Sequence, residues 1–170
     1  MTEVILSNPG NWSVNRDGHK IIRGYFHRTA VKGDTAVGEG EYFHNHCVKA
    51  SFDFVIDLNG KAIESVMPKD TAWAVNEWDE NEISVSIEFT GLNGTPLRMA
   101  QINGAIQAIN QETNLRRIAK HRLSISEIPQ RLVSGWGNHK DVTVAYNIAG
   151  GHTDGITETE IQAIFNGIVN

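Results

Sequence analysis

The chain has 170 residues, 40% of them hydrophobic and 21% charged, which suits one domain with a full core and is too short for two. Its net charge of −5 and pI near 5.8 argue against a nucleic-acid binder, which needs a basic patch. One cysteine, Cys47, excludes an intrachain disulfide, and no apolar run reaches the roughly 20 residues of a membrane span.

Residues 1–19 are turn-rich, with Asn8-Pro9-Gly10 and Asn15-Arg16-Asp17-Gly18, and show no basic segment leading into a long apolar one, so no signal peptide is expected. "KIIRGYF" (20–26) reads as a strand leading into His27. "HRTAVKGDTAVG" (27–38) is polar and loop-like, and "VGEGEYFHNHCV" (37–48) reads as a short helix despite its glycines. Cys47 in that stretch is expected to be a small buried apolar residue rather than a nucleophile.

"ASFDFVIDLNGKAIESVMP" (50–68) is the clearest hairpin. Phe52, Phe54 and Ile56 alternate with Ser51, Asp53, Val55 and Asp57, and Asn59-Gly60 supplies a two-residue turn. "EISVSIEFTG" (82–91) alternates too, with Ile83, Val85, Ile87 and Phe89 on one side and Ser84, Ser86 and Glu88 on the other. "TPLRMAQINGAIQAINQET" (95–113) has helical spacing at Leu97, Ala100, Ile102, Ala105, Ile106 and Ile109, with Thr95 as N-cap and Pro96 at the first helical position. "LRRIAKHRLSISEIPQRLV" (115–133) has no clear period. "TETEIQAIFNGIVN" (157–170) reads as a terminal helix, with Thr157 and Glu160 at capping-box spacing. The order predicts an α/β fold, a central mixed β-sheet flanked by helices.

Chemistry points to the seven histidines, because a catalytic zinc commonly takes three protein ligands from imidazole, carboxylate or thiolate. His19 lies in a polar turn and His121 in a basic stretch, so both are expected on the surface. His44 and His46 are two apart, a spacing that shares a face on a strand but not on a helix. His27 closes an apolar strand, where function tends to sit. His139 and His152 lie in the loop-like "GNHKDVTVAYNIAGGHTDGI" (137–156), with Asp154 two residues beyond the second. Spacing alone leaves a metal site and unrelated histidines both open, since no H-E-x-x-H or C-x-x-C is present.

Five segments in order resemble the zinc-dependent N-acetylmuramoyl-L-alanine amidase family, whose fold is shared by phage amidase endolysins and peptidoglycan recognition proteins. "YFHRTAVKGD" is similar to the family's first strand, which ends in a zinc histidine. "ASFDFVIDLNGKAIESV" is similar to its hairpin, usually Ser-x-His-Tyr-x-Ile, with Phe52 and Asp53 departing from the pattern. "DTAWAVNEWDENEISVSIEF" is similar to an Ala-Trp segment followed by Asn-x-x-Ser-x-x-Ile-Glu. "GNHKDV" resembles Gly-His-Arg-Asp-Val, with the second zinc histidine, and "HTDGI" resembles Lys-x-Asp-Pro-Gly, with the third ligand. The resemblance spans roughly 20–156.

The resemblance implies zinc held by His27, His139 and Asp154, with Glu88 acting on the attacking water and His152 standing where the family often has a catalytic lysine. The gap from His139 to Asp154 is longer than usual and the Pro after Asp154 is missing. A competing set with His152 as third ligand therefore stays open, and "VTVAYNIAG" is expected to loop out so that both ends reach one ion. Trp73 and Trp78 are candidate walls for sugar or peptide. The implied protein is an amidase of bacterial peptidoglycan, with residues 1–170 as one catalytic domain or as the catalytic part of a longer phage endolysin. It is expected to be monomeric, without nucleic-acid or membrane partners, made in the host cytoplasm and acting on the wall after release. The alternatives are a non-catalytic peptidoglycan-binding module of the same fold, a zinc peptidase cutting within the stem peptide, and an unrelated α/β protein.

Overall fold

The computed structural model describes residues 2–29, 31 and 34–169. Its elements are β1 (Glu3–Val4), β2 (Trp12–Ser13), β3 (Arg23–Arg28), α1 (Ala36–Asn45), β4 (Phe54–Ile56), β5 (Ala62–Glu64), β6 (Thr71–Ala72), α2 (Trp78–Ile83), β7 (Ser84–Phe89), α3 (Met99–Gln111), α4 (Thr113–Arg116), β8 (Gly135–Asn138), α5 (His139–Ala145) and α6 (Glu158–Gly167). Six strands form one sheet in the order β1-β5-β4-β7-β3-β8, and β2 pairs with β6 apart from it. Only β4–β5 is antiparallel in the large sheet; β1–β5, β4–β7, β3–β7 and β3–β8 are parallel. The mixed sheet with flanking helices is the expected α/β class.

The alternation read in β4 and β7 is real, but both faces are covered, as parallel strands require. On one face Phe26, Phe54, Ile56, Val85, Ile87, Phe89 and Trp136 pack against Ile102, Ala105 and Ile109 of α3 and Ile161, Ile164 and Phe165 of α6. Each such side chain removed from water contributes about 1.5–3 kcal/mol. Trp136 stacks on Phe26 at 5.1 Å, and it can do so only because Gly24 leaves room, since a Cβ there would stand 2.1 Å from the indole. The other face carries two smaller apolar clusters, Tyr25 with Val142 of α5 and Val55 with Ala36 of α1. Between them it carries buried polar groups: Arg23, Ser84, Ser86, His27 and Glu88.

The structure corrects several element boundaries. β3 starts at Arg23 and continues through His27 to Arg28, so His27 lies within the strand. Of the loop read over 27–38, Ala30, Lys32 and Gly33 lie outside the described residues, and α1 already begins at Ala36, capped by Thr35, whose side chain accepts from the Gly38 amide. Helix α3 starts three residues later than read. Thr95 is held instead in a turn by Arg28 and by Leu92 O, and the Leu97 amide is taken by Glu160. The cap falls at Arg98, whose amide donates to Gln101 Oε1 at 3.2 Å. The α6 capping box forms as read. Cys47 is exposed at the end of α1, where the chain turns over Gly10, so the buried reading does not hold.

The unperiodic stretch 115–133 is organised from outside itself. After α4 it runs as turns whose carbonyls converge on the buried Arg23 guanidinium, at Glu127, Ile128, Gln130 and Val133. The expected loop "VTVAYNIAG" is also corrected. Its first half is helix α5, which starts at His139, and the chain then reverses through Asn147 and Gly150, both at positive φ.

Candidate metal centre

β3, β7 and β8 run parallel, so their C-terminal ends open at one edge of the sheet, where open α/β sheets place their ligands. The register sets His27 opposite Glu88 and Phe26 opposite Asn138. His139, first residue of α5, therefore stands beside His27, with ring centroids 4.7 Å apart.

Asp154 is brought to this edge by backbone and side-chain bonds that bypass the intervening turn. Asn138 clamps the returning chain: its Nδ2 donates to Ile156 O at 3.0 Å and its Oδ1 accepts from the Ile156 amide at 2.9 Å. The Lys140 amide donates to Asp154 O at 3.2 Å, and the Arg28 amide donates to Asp154 Oδ2 at 3.1 Å. Gly155 makes the close approach possible, since a Cβ there would meet Asn138 at 2.6 Å and its φ is +152°.

His27, His139 and Asp154 are buried, and each offers a ligand atom within 4.8 Å of the other two. His139 Nδ1 is 3.1 Å from Asp154 Oδ1, and His27 Nδ1 is 3.7 Å from Asp154 Oδ2. His139 Nε2 and Asp154 Oδ1 nevertheless lack a well-directed hydrogen bond, as does Glu88 Oε1. Buried polar atoms are rarely left so. Two imidazoles and a carboxylate grouped this closely, with the unpaired Glu88 Oε1 in the same cavity, suit a bound divalent cation and its water.

The electrostatics agree with that donor set. Burial first, then the neighbouring His139 charge, holds the His27 imidazole well below its usual pKa, so it is neutral and free to donate a lone pair. For Asp154 burial pushes upward, but the hydrogen bond from His139, the electrostatic influence of the adjacent imidazoles and the Arg28 amide outweigh it and leave the carboxyl at about 2. Glu88 goes the other way: burial, then the charges of Asp154 and Glu39, raise it well above the usual carboxylate range, with Arg28 opposing.

His152 stands at the mouth. Its side chain is 64% exposed, its ring stacks on His139 at 4.8 Å, and its Nδ1 is 3.7 Å from Asp154 Oδ1. All these groups open into a cavity of about 560 Å³. Its walls also include Tyr42, Phe43, Phe52, Lys49, Trp73 and Glu39, most of which the sequence reading passed over. The available signal was helical spacing: Glu39 and Phe43, like Gly38 and Tyr42, are four apart on α1. Trp73 lines the cavity, whereas Trp78 does not. Trp78 is half-exposed on α2, with its indole N–H on Glu82 Oε1 at 2.9 Å.

The remaining histidines stay away from the centre. His44 Nδ1 meets Leu6 O at 2.7 Å and His46 Nδ1 meets Tyr42 O at 2.9 Å, both at the exposed end of α1. His19 is exposed beside Glu82, and His121 beside Glu127.

Two imidazoles and a carboxylate at the carboxyl ends of parallel strands are a group that could hold a divalent cation, with an unpaired glutamate in the same cavity. The chain belongs to the N-acetylmuramoyl-L-alanine amidase family, whose sequence profile matches residues 17–155. No curated protein sequence matches significantly. Among solved structures it resembles the Staphylococcus aureus hydrolase AmiA in complex with its ligand, with a TM-score of 0.72 at 17% identity over 98% of this chain and 82% of that one. It also resembles the N-acetylmuramoyl-L-alanine amidase LysC of Clostridium intestinale URNW, with a TM-score of 0.59 at 13% identity over 98% and 99%. PlyL gives a TM-score of 0.59 at 16% identity over 99% of both chains. At these identities the likeness is one of fold.

Proposed function

We propose that this chain is a zinc-dependent N-acetylmuramoyl-L-alanine amidase that cleaves the amide between the lactyl group of N-acetylmuramic acid and L-alanine of the stem peptide, acting as the catalytic domain of a phage endolysin. The observation that carries the reading is the buried His27–His139–Asp154 cluster, whose ligand atoms lie within 4.8 Å of one another, with the unpaired Glu88 Oε1 in the same cavity. His27, His139 and Asp154 would hold the ion. The tighter grouping of Asp154 with both histidines, and the exposure of His152, favour Asp154 over His152 as the third ligand.

Zinc, when bound, polarises the substrate carbonyl and acidifies water. The chain's residues supply the rest. Glu88 takes the proton from the attacking water at Oε1 and delivers it to the leaving amine, a task suited to a carboxyl whose proton affinity is raised by burial. His152 reaches in from the mouth and donates to the tetrahedral oxyanion. The cavity walls, with Trp73 and Phe52 on one side, exclude water from the scissile bond and seat the muramyl peptide. No helix among the described residues is long and apolar enough to cross a membrane.

Elemental analysis together with mass spectrometry of digested cell walls tests this reading. One zinc per chain and new L-alanine amino termini are expected. Binding to peptidoglycan without cleavage would make the chain a recognition module, and cleavage between stem residues would make it a peptidase.

A further inference from the structure

His27 is held from behind by a short chain of buried polar groups that belongs to neither the ligand set nor the cavity wall. The two nitrogens of its ring have separate surroundings. Nδ1 faces Asp154 Oδ2 at 3.7 Å, on the side of the candidate ion. Nε2 faces Ser86 Oγ at 3.2 Å, deep in the sheet. Ser86 lies on β7 opposite Tyr25, two residues before Glu88, so its hydroxyl and the His27 ring share one face. Phe52 meets the same ring edge-on at 5.1 Å and leaves it little freedom to turn.

Ser86 is itself fixed. β4 begins only at Phe54, so the Ser86 amide lies beyond the end of the neighbouring strand's ladder. Asp53 takes the place of a strand partner: its Oδ2 accepts the Ser86 amide at 2.8 Å, and its Oδ1 accepts Arg16 Nη2 at 3.0 Å. Arg16 and Asp53 are both almost wholly buried, and the other guanidinium bonds of Arg16 go to the carbonyls of Pro68, Asn81, Glu82 and Ser84. Arg16 thus locks the start of β7 and Asp53 to each other. Asp53 is one of the two hairpin residues that depart from the family pattern, and this bond gives the departure a use.

An imidazole that binds a metal through one nitrogen carries its proton on the other, and an acceptor there fixes tautomer and ring orientation. We infer that Ser86 is a positioning residue for the metal ligand His27: its Oγ accepts the Nε2–H, leaving the Nδ1 lone pair aimed at the ion, with the Arg16–Asp53 pair holding Ser86 in register. The inference rests on the metal-site reading above. Ser86 touches neither substrate nor the reacting atoms.

The test is zinc affinity of the whole chain, measured by chelator competition, with ¹⁵N chemical shifts of the His27 ring in the zinc-loaded protein. Ser86→Ala is expected to weaken zinc binding by about 10–100-fold and to leave the metal-free thermal midpoint unchanged. Ser86→Thr, which keeps the hydroxyl, is expected to restore affinity. In wild type and Ser86→Thr the ring shifts should show the Nε2–H tautomer. Wild-type affinity in Ser86→Ala, together with loss of zinc in His27→Ala, would overturn the positioning role alone. Retention of stoichiometric zinc in His27→Ala would overturn the metal-site reading and this inference with it.

Discussion

Two buried charged clusters lie on the same face of the sheet, at Arg23 and at His27 of β3, and they are finished differently. At the Arg23 end every group has a partner. Glu80, fully buried, accepts both Arg23 Nη1 contacts, at 2.6 and 2.8 Å, and the hydroxyls of Tyr25 and Tyr146 at 2.6 and 2.8 Å. The rest of the Arg23 guanidinium is spent on carbonyls of the segment 127–133. At the His27 end, Glu88 is as deeply buried, yet Oε1 has no partner, and neither does His139 Nε2. A closed cluster contributes shape and stability; an open one is held apart by the fold for something that arrives later. Burial does not separate the two, but hydrogen-bond satisfaction does.

That division is broken most severely at the open end. Asp154→Ala should lose stoichiometric zinc by elemental analysis and with it all measurable hydrolysis, whereas His152→Ala should keep the metal and lose about 10²–10³ in kcat. The reverse pattern would make His152 the third ligand. Glu88→Gln should keep both zinc and thermal midpoint while turnover on purified peptidoglycan falls about 10²–10⁴-fold, and near-normal turnover would sink its role as proton carrier. The closed end should answer in the other currency. Arg23→Met strands Glu80 in the core and should cost about 3–5 kcal/mol by denaturant unfolding, with zinc per folded chain unchanged. For a domain of this size that lowers the midpoint by roughly 10 °C. A variant that kept its stability but lost zinc would erase the distinction.

Local features were legible in the sequence because their causes are local. The β4–β5 hairpin, the alternation of β7 and the Thr157–Glu160 capping box each rest on neighbours within a few residues, although the hairpin turns at Leu58–Asn59 with Gly60 following at positive φ and not through the two-residue Asn59-Gly60 turn expected. The order of His27, Glu88, His139 and Asp154 was legible only through family resemblance, since their meeting depends on parallel pairing between distant strands. The rest required long-range partners that no period announces. Arg16 finds Asp53 and Arg23 finds Glu80 across dozens of residues. Thr95 looked like a cap, but Arg28 and Leu92 hold it in a turn. "VTVAYNIAG" looked like a loop because its glycine and polar end masked the two turns of helix that begin at His139, where Asn138 and Asp141 form a capping box.

The smallest expected effect separates the two tryptophans, which the sequence treats alike. Trp73 follows β6, and its backbone exchanges hydrogen bonds with Ser51: the Trp73 amide donates to Ser51 Oγ and its carbonyl accepts the Ser51 amide, both at 3.1 Å. Its indole N–H donates to Ser13 Oγ at 3.0 Å, which fixes the ring at the cavity wall with Lys49 Nζ 5.8 Å from the ring centroid. A ring held at its polar edge offers a rigid apolar surface at little entropic cost, suited to the face of a sugar or a peptide. Trp73→Ala should therefore raise KM about ten-fold with kcat nearly unchanged, the signature of binding shared equally by ground state and transition state. Trp78 sits on α2, half in solvent and tied to Glu82, away from that wall. Trp78→Ala should leave both constants unaltered and change stability by no more than about 0.5 kcal/mol. A larger rise in KM for Trp78→Ala than for Trp73→Ala would move the substrate path from the cavity edge on α1 and β6 to the exposed face of α2.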